Sequence, residues 1–470
     1  MNKLNGLQPA RVFHYFEEIA AIPHGSGNTA AISEYCVAFA KAHGLACVQD
    51  SLGNVIIKKT ATVGYEEHPT VILQGHLDMV CEKAFDSTID FEKDGLELAV
   101  DGDWLYANGT TLGGDDGIAV AMALAILESN DLPHPPLEVL FTVDEEVGLL
   151  GAAALDAAPL EGRLLINIDS EKDGVLTVSC AGGVRADITL PIERIYNSWN
   201  TYKITVDGLQ GGHSGVEIDK GRLNSNVVMG QFLQTLETYR IVRVEGGQKD
   251  NAIPMRTTCV LIATRDITPL GEEFALAHRT EDDPNLTVTV EHAVAENYSL
   301  TDEATKRVVE FLTTVPNGIV AMSESIDGLV QTSLNLGILK TEGDAVKASI
   351  GLRSSVAEEK KALLARVKAV AQACGGVCEE SGDYPAWEYR QNSRLRDVMS
   401  DTWERLYGEK ATIIAIHAGL ECGYLSDKLP GLDAVSIGPD MQDIHTCRER
   451  LSISSVARVY RYVCEVLKNL

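Results

Sequence analysis

The chain of 470 residues lacks any apolar run near the ~20 residues that a bilayer-spanning helix needs, so no membrane span is expected. Its opening segment, MNKLNGLQPARVFHYFEEIAAIP, has neither an uninterrupted apolar core nor a small-residue cleavage site, which predicts no secretory signal. Positive charge is scarce: 40 Lys and Arg stand against 68 Asp and Glu, for a formal net charge of −28. Such a surface repels phosphate backbones and anionic lipid, so neither nucleic acid nor membrane is an expected partner. The ten cysteines are scattered. Only Cys374 and Cys378 are close, and without a second pair they fit no zinc-ribbon spacing. Reduced thiols of a cytoplasmic protein are expected. Several catalytic signatures are also missing. There is no HExxH for a helix-borne single-zinc protease and no phosphate-binding P-loop. The serine-hydrolase elbow GxSxG fails at Ser214, where GGHSGV places Val216 in the position of the last glycine.

Hydrophobic residues make up 45 % of the chain, enough to bury a core. At ~100–200 residues per domain, the length suggests two or three domains. Strand and helix patterns alternate, which predicts an α/β protein with a mostly parallel sheet and helices on both faces. The apolar runs Val71–Leu73, Val139–Val143, Leu164–Ile168, Ile413–Ile416 and Ala434–Ile437 read as buried strands. Ile118–Glu128 and Leu395–Tyr407 read as helices between them. The middle third differs. Tyr202–Val206, Thr258–Ile262, Thr287–Val290, Leu334–Leu339 and Ala348–Leu352 read as exposed-type strands, with helices near Asn224–Tyr239 and Ala357–Cys374. This predicts a smaller α+β domain over 188–390, inserted into a catalytic domain formed by 1–187 and 391–470.

Polar residues follow the predicted catalytic strands with regularity. His76 and Asp78 come after the first, Asp144, Glu145 and Glu146 after the second, and Asp169 after the third. His417 follows the fourth, and His445 lies beyond the last, after a Gly-Pro turn. In open α/β sheets ligands bind beyond the carboxyl ends of the strands, so these side chains are expected to share one crevice. Each has an ordinary alternative taken alone: a helix cap for Asp115–Asp116, a solvated turn for the DEE run, a turn former for Asp169, a loop histidine for His445. Together, two histidines and three carboxylates make a mixed nitrogen and oxygen set suited to zinc, manganese or cobalt. Asp115, set among glycines in TTLGGDDG, could bridge two cations ~3.5–4 Å apart. Asp78, two residues from His76 on the same strand face, could orient its imidazole.

The ordered series GHLDMV, TTLGGDDG, DEEVG, INIDSE, GGHSG, NAIP, GLRSS, HAGLECG and DIHT resembles the M20 metallopeptidases, in their aminoacyl-histidine dipeptidase branch, from His76 to His445. HAGLECG and CAGG are more particular to that branch than the metal motifs. The resemblance implies two zinc ions (with Mn²⁺ or Co²⁺ as substitutes) bridged by Asp115. His76 and Asp169 would complete one shell, and Glu146 and His445 the other. Asp78 would support His76, Glu145 would be the general base, and His213 in the inserted lid would polarise the scissile carbonyl. Arg353, Asn251 and His417 would hold the substrate. The implied substrate is a small Xaa-His dipeptide, and a homodimer through the inserted domain is expected. Gly114, Asp116 and the segment IHTCRE depart from the branch pattern, where Ala, Asn and Pro-His-Ser are expected, but none of these removes a ligand. Two other readings stay open: an N-acyl amino acid amidohydrolase with the same metals, and a metal-binding protein without catalysis.

Overall fold

The computed structural model describes residues 3–470. Contacts divide the chain into two compact units, Met1–Ser179 with Tyr389–Ala415 and Leu420–Leu470, and Cys180–Glu388 with Ile416–Gly419.

The first unit is built on an eight-stranded sheet. In order it runs Ala46–Gln49, Val55–Lys59, Leu137–Thr142, Val71–His76, Leu164–Asn167, Asp433–Ser436, Val175–Cys180 and Thr412–Ile416. Its centre is parallel: Val71–His76 pairs in parallel with both Leu137–Thr142 and Leu164–Asn167, and Asp433–Ser436 pairs in parallel with Leu164–Asn167. Outside that centre the described pairings are antiparallel. The central strands are continuous Val, Leu and Ile runs because both of their faces are covered. Val71, Ile72, Leu73, Val139, Leu140, Leu165, Ile166 and Val435 are all buried. Helix Gly114–Glu128 is apolar on every side (AVAMALAI) and correspondingly buried through Leu127. Helices Arg394–Tyr407 and Ile453–Asn469 meet through Trp403 and Tyr462, edge to face at 5.0 Å, and the Tyr462 hydroxyl donates to the Met399 carbonyl at 2.8 Å.

The second unit carries a nine-stranded sheet whose described pairings are antiparallel, with its own core from Val184 to Cys374. Its longest ladders join Val330–Glu342 to Ala345–Ser354, and Ala345–Ser354 to Gly182–Pro191. The unit begins at Cys180 rather than near 188 because Gly182–Pro191 is one unbroken strand of this sheet. The helix expected over Asn224–Tyr239 is shorter, Ser225–Gln234, and Tyr239 instead opens strand Tyr239–Gly246. Asn224 caps that helix, its side chain accepting the backbone N–H of Asn226 and Val227. No disulfide joins the cysteines among the described residues.

Candidate metal and active site

His76 ends its strand fully inside the protein, and Asp78 follows it, each 1 % exposed. The ring Nδ1 lies 3.0 Å from the Asp78 carbonyl oxygen and 3.5 Å from its Oδ1. A proton on Nδ1 leaves the Nε2 lone pair facing outward, as a metal ligand requires. Nε2 faces Asp115 Oδ1 at 3.0 Å and Asp169 Oδ1 at 3.8 Å. The Asp78 carboxylate is occupied elsewhere. It accepts the backbone N–H of Glu145 at 2.9 Å and of Glu146 at 3.2 Å, and the Ser26 hydroxyl at 2.8 Å.

Asp115 is presented by a tightly held loop. The Glu449 carboxylate accepts the N–H groups of Leu112, Gly113, Gly114 and Asp115 at 2.7, 3.1, 2.8 and 3.4 Å. Gly113 sits at φ +66°, a left-handed conformation that suits glycine. Asp115 and Asp116 depart from helical geometry before the long helix, and the bond between them is cis. The two side chains serve different ends. Asp116 is buried, with Oδ2 accepting the His76 N–H at 3.0 Å. Asp115 turns both oxygens to imidazoles, Oδ1 to His76 and Oδ2 to His445 Nε2 at 3.1 Å. His445 Nε2 also lies 2.8 Å from Glu146 Oε1.

Ligand atoms in three sets come within 4.8 Å of one another: His76 with Asp116 and Asp169, His76 with Glu145 and Glu146, and Asp115 with Glu146 and His445. Asp144 and His445 hold left-handed backbones at φ 54° and 57°, each costing about 1–3 kcal/mol for a residue other than glycine. Strain of this kind persists where the surroundings fix it. The electrostatics are those of crowded acids around two bases. Burial pushes Glu145 up to about 8, with Glu421 and Glu146 adding to the effect. Burial also raises Asp169 and Asp116 well above their ordinary value. Burial opposes the charged His76 ring, yet Asp115 and Asp78 push it well above its usual value. Asp115 and Glu146 push His445 up to about 10. The same two imidazoles, overcoming burial, hold Asp115 below the usual carboxylate range.

Beneath these groups runs a buried polar layer. Glu421 Oε2 accepts Gln74 Nε2 and the Thr142 hydroxyl, both at 2.6 Å, and Gln74 Oε1 accepts Asn167 Nδ2 at 2.6 Å. Gln74, Thr142 and Asn167 stand two residues before His76, Asp144 and Asp169 on the three adjacent parallel strands.

The remaining expected residues lie in the second unit. His213 Nδ1 accepts the N–H of Gly215 at 3.1 Å and of Val216 at 3.2 Å, so its proton sits on Nε2. Burial and the nearby Arg353 cation lower its pKa. His417 Nε2 lies 2.7 Å from Ser333 Oγ, and burial with Arg353 holds its pKa down at about 4. Arg353 and Asn251 line a cleft of about 170 Å³ together with Ser214 and Tyr384. The Arg353 guanidinium donates to the Tyr384 hydroxyl at 2.9 Å, and no carboxylate among the described residues pairs with it.

Thus His76, Asp78, Asp115, Glu145, Glu146, Asp169 and His445 gather in the first unit, and His213, Asn251, Arg353 and His417 in the second. Sequence reasoning passed over Glu449, Glu421, Tyr384 and the anchoring role of Asp116. Glu449 lies four residues beyond His445 in a charged loop, and nothing in its spacing marks four N–H donors drawn from more than 330 positions away.

The family model "Peptidase family M20/M25/M40" matches residues 72–469. The chain is 34 % identical to the cytosol non-specific dipeptidase of Escherichia coli (strain K12), over 100 % of this chain and 99 % of that protein. Among solved structures it resembles aminoacylhistidine dipeptidase from Vibrio alginolyticus, at TM-score 0.94 and 35 % identity, over 99 % of this chain and 98 % of that one. Aminopeptidase PepT from Bacillus cereus shares the fold at TM-score 0.58 and 16 % identity, over 98 % of each chain. No helix among the described residues is long and apolar enough to cross a membrane. With the family model spanning the parallel sheet, the acid–imidazole cluster and the second unit alike, the chain belongs to peptidase family M20/M25/M40 and is a hydrolase of peptide bonds.

Proposed function

We propose that the chain is a cytoplasmic, metal-dependent dipeptidase that cleaves unblocked dipeptides, with carnosine-like Xaa-His pairs as the preferred class. What carries this reading is Asp115: one carboxylate faces two imidazoles, His76 at 3.0 Å from one oxygen and His445 at 3.1 Å from the other. A carboxylate between two nitrogen ligands has the disposition needed to bridge two cations. His76 and Asp169 would hold one ion, Glu146 and His445 the other. The donor set fits: Asp169 Oδ2 is buried with no partner among the described residues, and the acids are too crowded to stay ionised without positive charge. Mixed imidazole and carboxylate ligands suit Zn²⁺, with Mn²⁺ or Co²⁺ as substitutes.

Divalent cations held there would supply Lewis acidity toward the scissile carbonyl and toward water, whose pKa such ions lower from 15.7 toward ~7. Glu145, beside His76 and Glu146 and raised toward neutrality by burial, accepts the water's proton and returns it to the leaving amine. Asp78 keeps Glu145 and Glu146 in place through their N–H groups while keeping His76 in the tautomer that frees Nε2. His213, neutral and protonated on Nε2, donates to the developing oxyanion. Arg353, without a carboxylate partner, takes the free carboxylate of the substrate, with Asn251 and His417 beside it. The relatives at 34 % and 35 % identity both carry dipeptidase names, one non-specific and one for aminoacyl-histidine substrates, and the former is named for the cytosol.

The test is metal analysis coupled to a substrate panel. The expected result is hydrolysis of Xaa-His dipeptides, abolished by a chelator and restored by Zn²⁺ or Mn²⁺. Cleavage of N-acyl amino acids in preference to every free dipeptide would assign the amidohydrolase reading instead.

A further inference from the structure

CAGG (Cys180–Gly183) and HAGLECG (His417–Gly423) have so far accounted only for His417 and Glu421. Their glycines meet at one side chain. A Cβ on Gly183 would lie 2.5 Å from the Tyr384 ring and hydroxyl, and a Cβ on Gly419 would lie 2.8 Å from the ring at Cε2. Tyr384 is thus laid in a slot that only glycines leave open. Its hydroxyl receives a hydrogen bond from Arg353 Nη1 at 2.9 Å. A phenol has one O–H to give as well as lone pairs to receive. Among the described residues no acceptor takes that proton. Arg353 likewise has no side-chain hydrogen-bond partner among the described residues besides this oxygen. Two donors 2.9 Å apart, one cationic, open onto a 170 Å³ cleft. A carboxylate has two oxygens and about four acceptor sites, so one such group satisfies both donors.

We propose that the Tyr384 hydroxyl is the second donor, beside Arg353, to the free carboxylate of the substrate's C-terminal residue, with Gly183 and Gly419 as the seat of its ring. The proposal rests on the reading of Arg353 as the carboxylate holder. It makes Tyr384 a selector for unblocked C-termini, since a carboxamide offers only one oxygen and no charge.

The test is Tyr384→Phe, which keeps the ring and removes the hydroxyl. KM is measured for a free dipeptide, and the same dipeptide's C-terminal carboxamide is measured as a competitive inhibitor, so that it need not be cleaved. Loss of one hydrogen bond to a charged group predicts a KM roughly 10–100-fold higher for the free dipeptide, with kcat nearly unchanged and the carboxamide's inhibition constant unmoved. Gly419→Ala, which displaces the ring, is expected to reproduce that selective loss while the protein stays folded by circular dichroism. An unchanged KM in Tyr384→Phe, or equal weakening of the free and amidated ligands, overturns the proposal. Arg353→Ala is run alongside: if it leaves the free dipeptide's KM unchanged, the reading of Arg353 itself fails, whatever Tyr384→Phe does.

Discussion

The Asp78 carboxylate accepts the backbone N–H of Glu145 at 2.9 Å, joining the end of one parallel strand to the turn beyond its neighbour. That one side chain therefore fixes the position of two acids, while the backbone carbonyl of the same residue orients the His76 ring. Asp78→Ala is expected to fold but to bind metal 10–100-fold more weakly, the usual effect of losing such a supporting group. Titration against a competing chelator reads this directly. Unaltered affinity in Asp78→Ala would show that the turn at Glu145 holds without it.

Glu145→Gln separates chemistry from metal binding. The side chain keeps its size, and the proposed ligands are untouched. The expected outcome is full metal content with kcat lowered about 10²–10⁴-fold, the range for loss of a general base. Metal analysis and steady-state kinetics on one preparation check it. A metal-replete Glu145→Gln enzyme of normal turnover would sink the assignment.

Glu449 makes a different prediction, since the described hydrogen bonds to its carboxylate all come from backbone N–H groups. Glu449→Ala strips the acceptor from four N–H groups between Leu112 and Asp115. An orphaned buried donor costs about 1–3 kcal/mol, so urea unfolding is expected to show at least one such loss, with weaker metal binding because Asp115 is no longer held. Glu449→Gln, which retains one acceptor oxygen, is expected to fall between.

Glu421 tests the floor of the site. Glu421→Leu leaves Gln74 Nε2 and the Thr142 hydroxyl without their 2.6 Å acceptor. A loss of at most about 1–3 kcal/mol per group is expected in urea melts, since Gln74 Nε2 keeps a longer bond to Thr142 at 3.3 Å and the Thr142 hydroxyl one to the Gly75 carbonyl at 3.4 Å. Glu421→Gln is expected to lose less, because an acceptor oxygen remains.

Metal removal is expected to lower the thermal midpoint, and ligand linkage sets the size: about 2.7 kcal/mol is lost when the free ion had been at 100 times its Kd. Ligands must be deprotonated to bind a cation, and the acids around His445 hold its proton up to about 10 in the metal-free site. Binding should therefore release protons, and affinity should rise with pH through the neutral range. Calorimetry in buffers of differing ionisation enthalpy checks the sign.

The strands that lead into the acid–imidazole cluster were legible because buried parallel strands are uninterrupted apolar runs, and a polar residue ending such a run stands out: His76, Asp169 and the DEE turn all sit there. The flanks of the sheet were less readable. Ala46–Gln49 and Val55–Lys59 pair antiparallel through a short loop, and the first of them is largely exposed, so no apolar run announces it. The helix over Asn224–Tyr239 was drawn too long because Leu236 and Tyr239 continue its apolar spacing. Both are held by the core in another conformation, Tyr239 in the opening of a strand. Glu449 and Glu421 were silent because their partners are backbone amides and strand side chains far away in sequence, which leave no periodic trace.

Arg353 lies in a strand hydrogen-bonded on both sides, opposite Ser333 on one and Gly183 on the other. Tyr384 ends the outermost strand of that sheet, just past an irregularity in its pairing between Ser381 and Tyr384. Arg353 is locked into the ladder, whereas Tyr384 sits on the outer strand with its ring seated against Gly183 and Gly419. If Tyr384 is the second donor, as proposed, a change confined to this outer strand would alter the choice of carboxyl terminus while the Arg353 strand keeps its place.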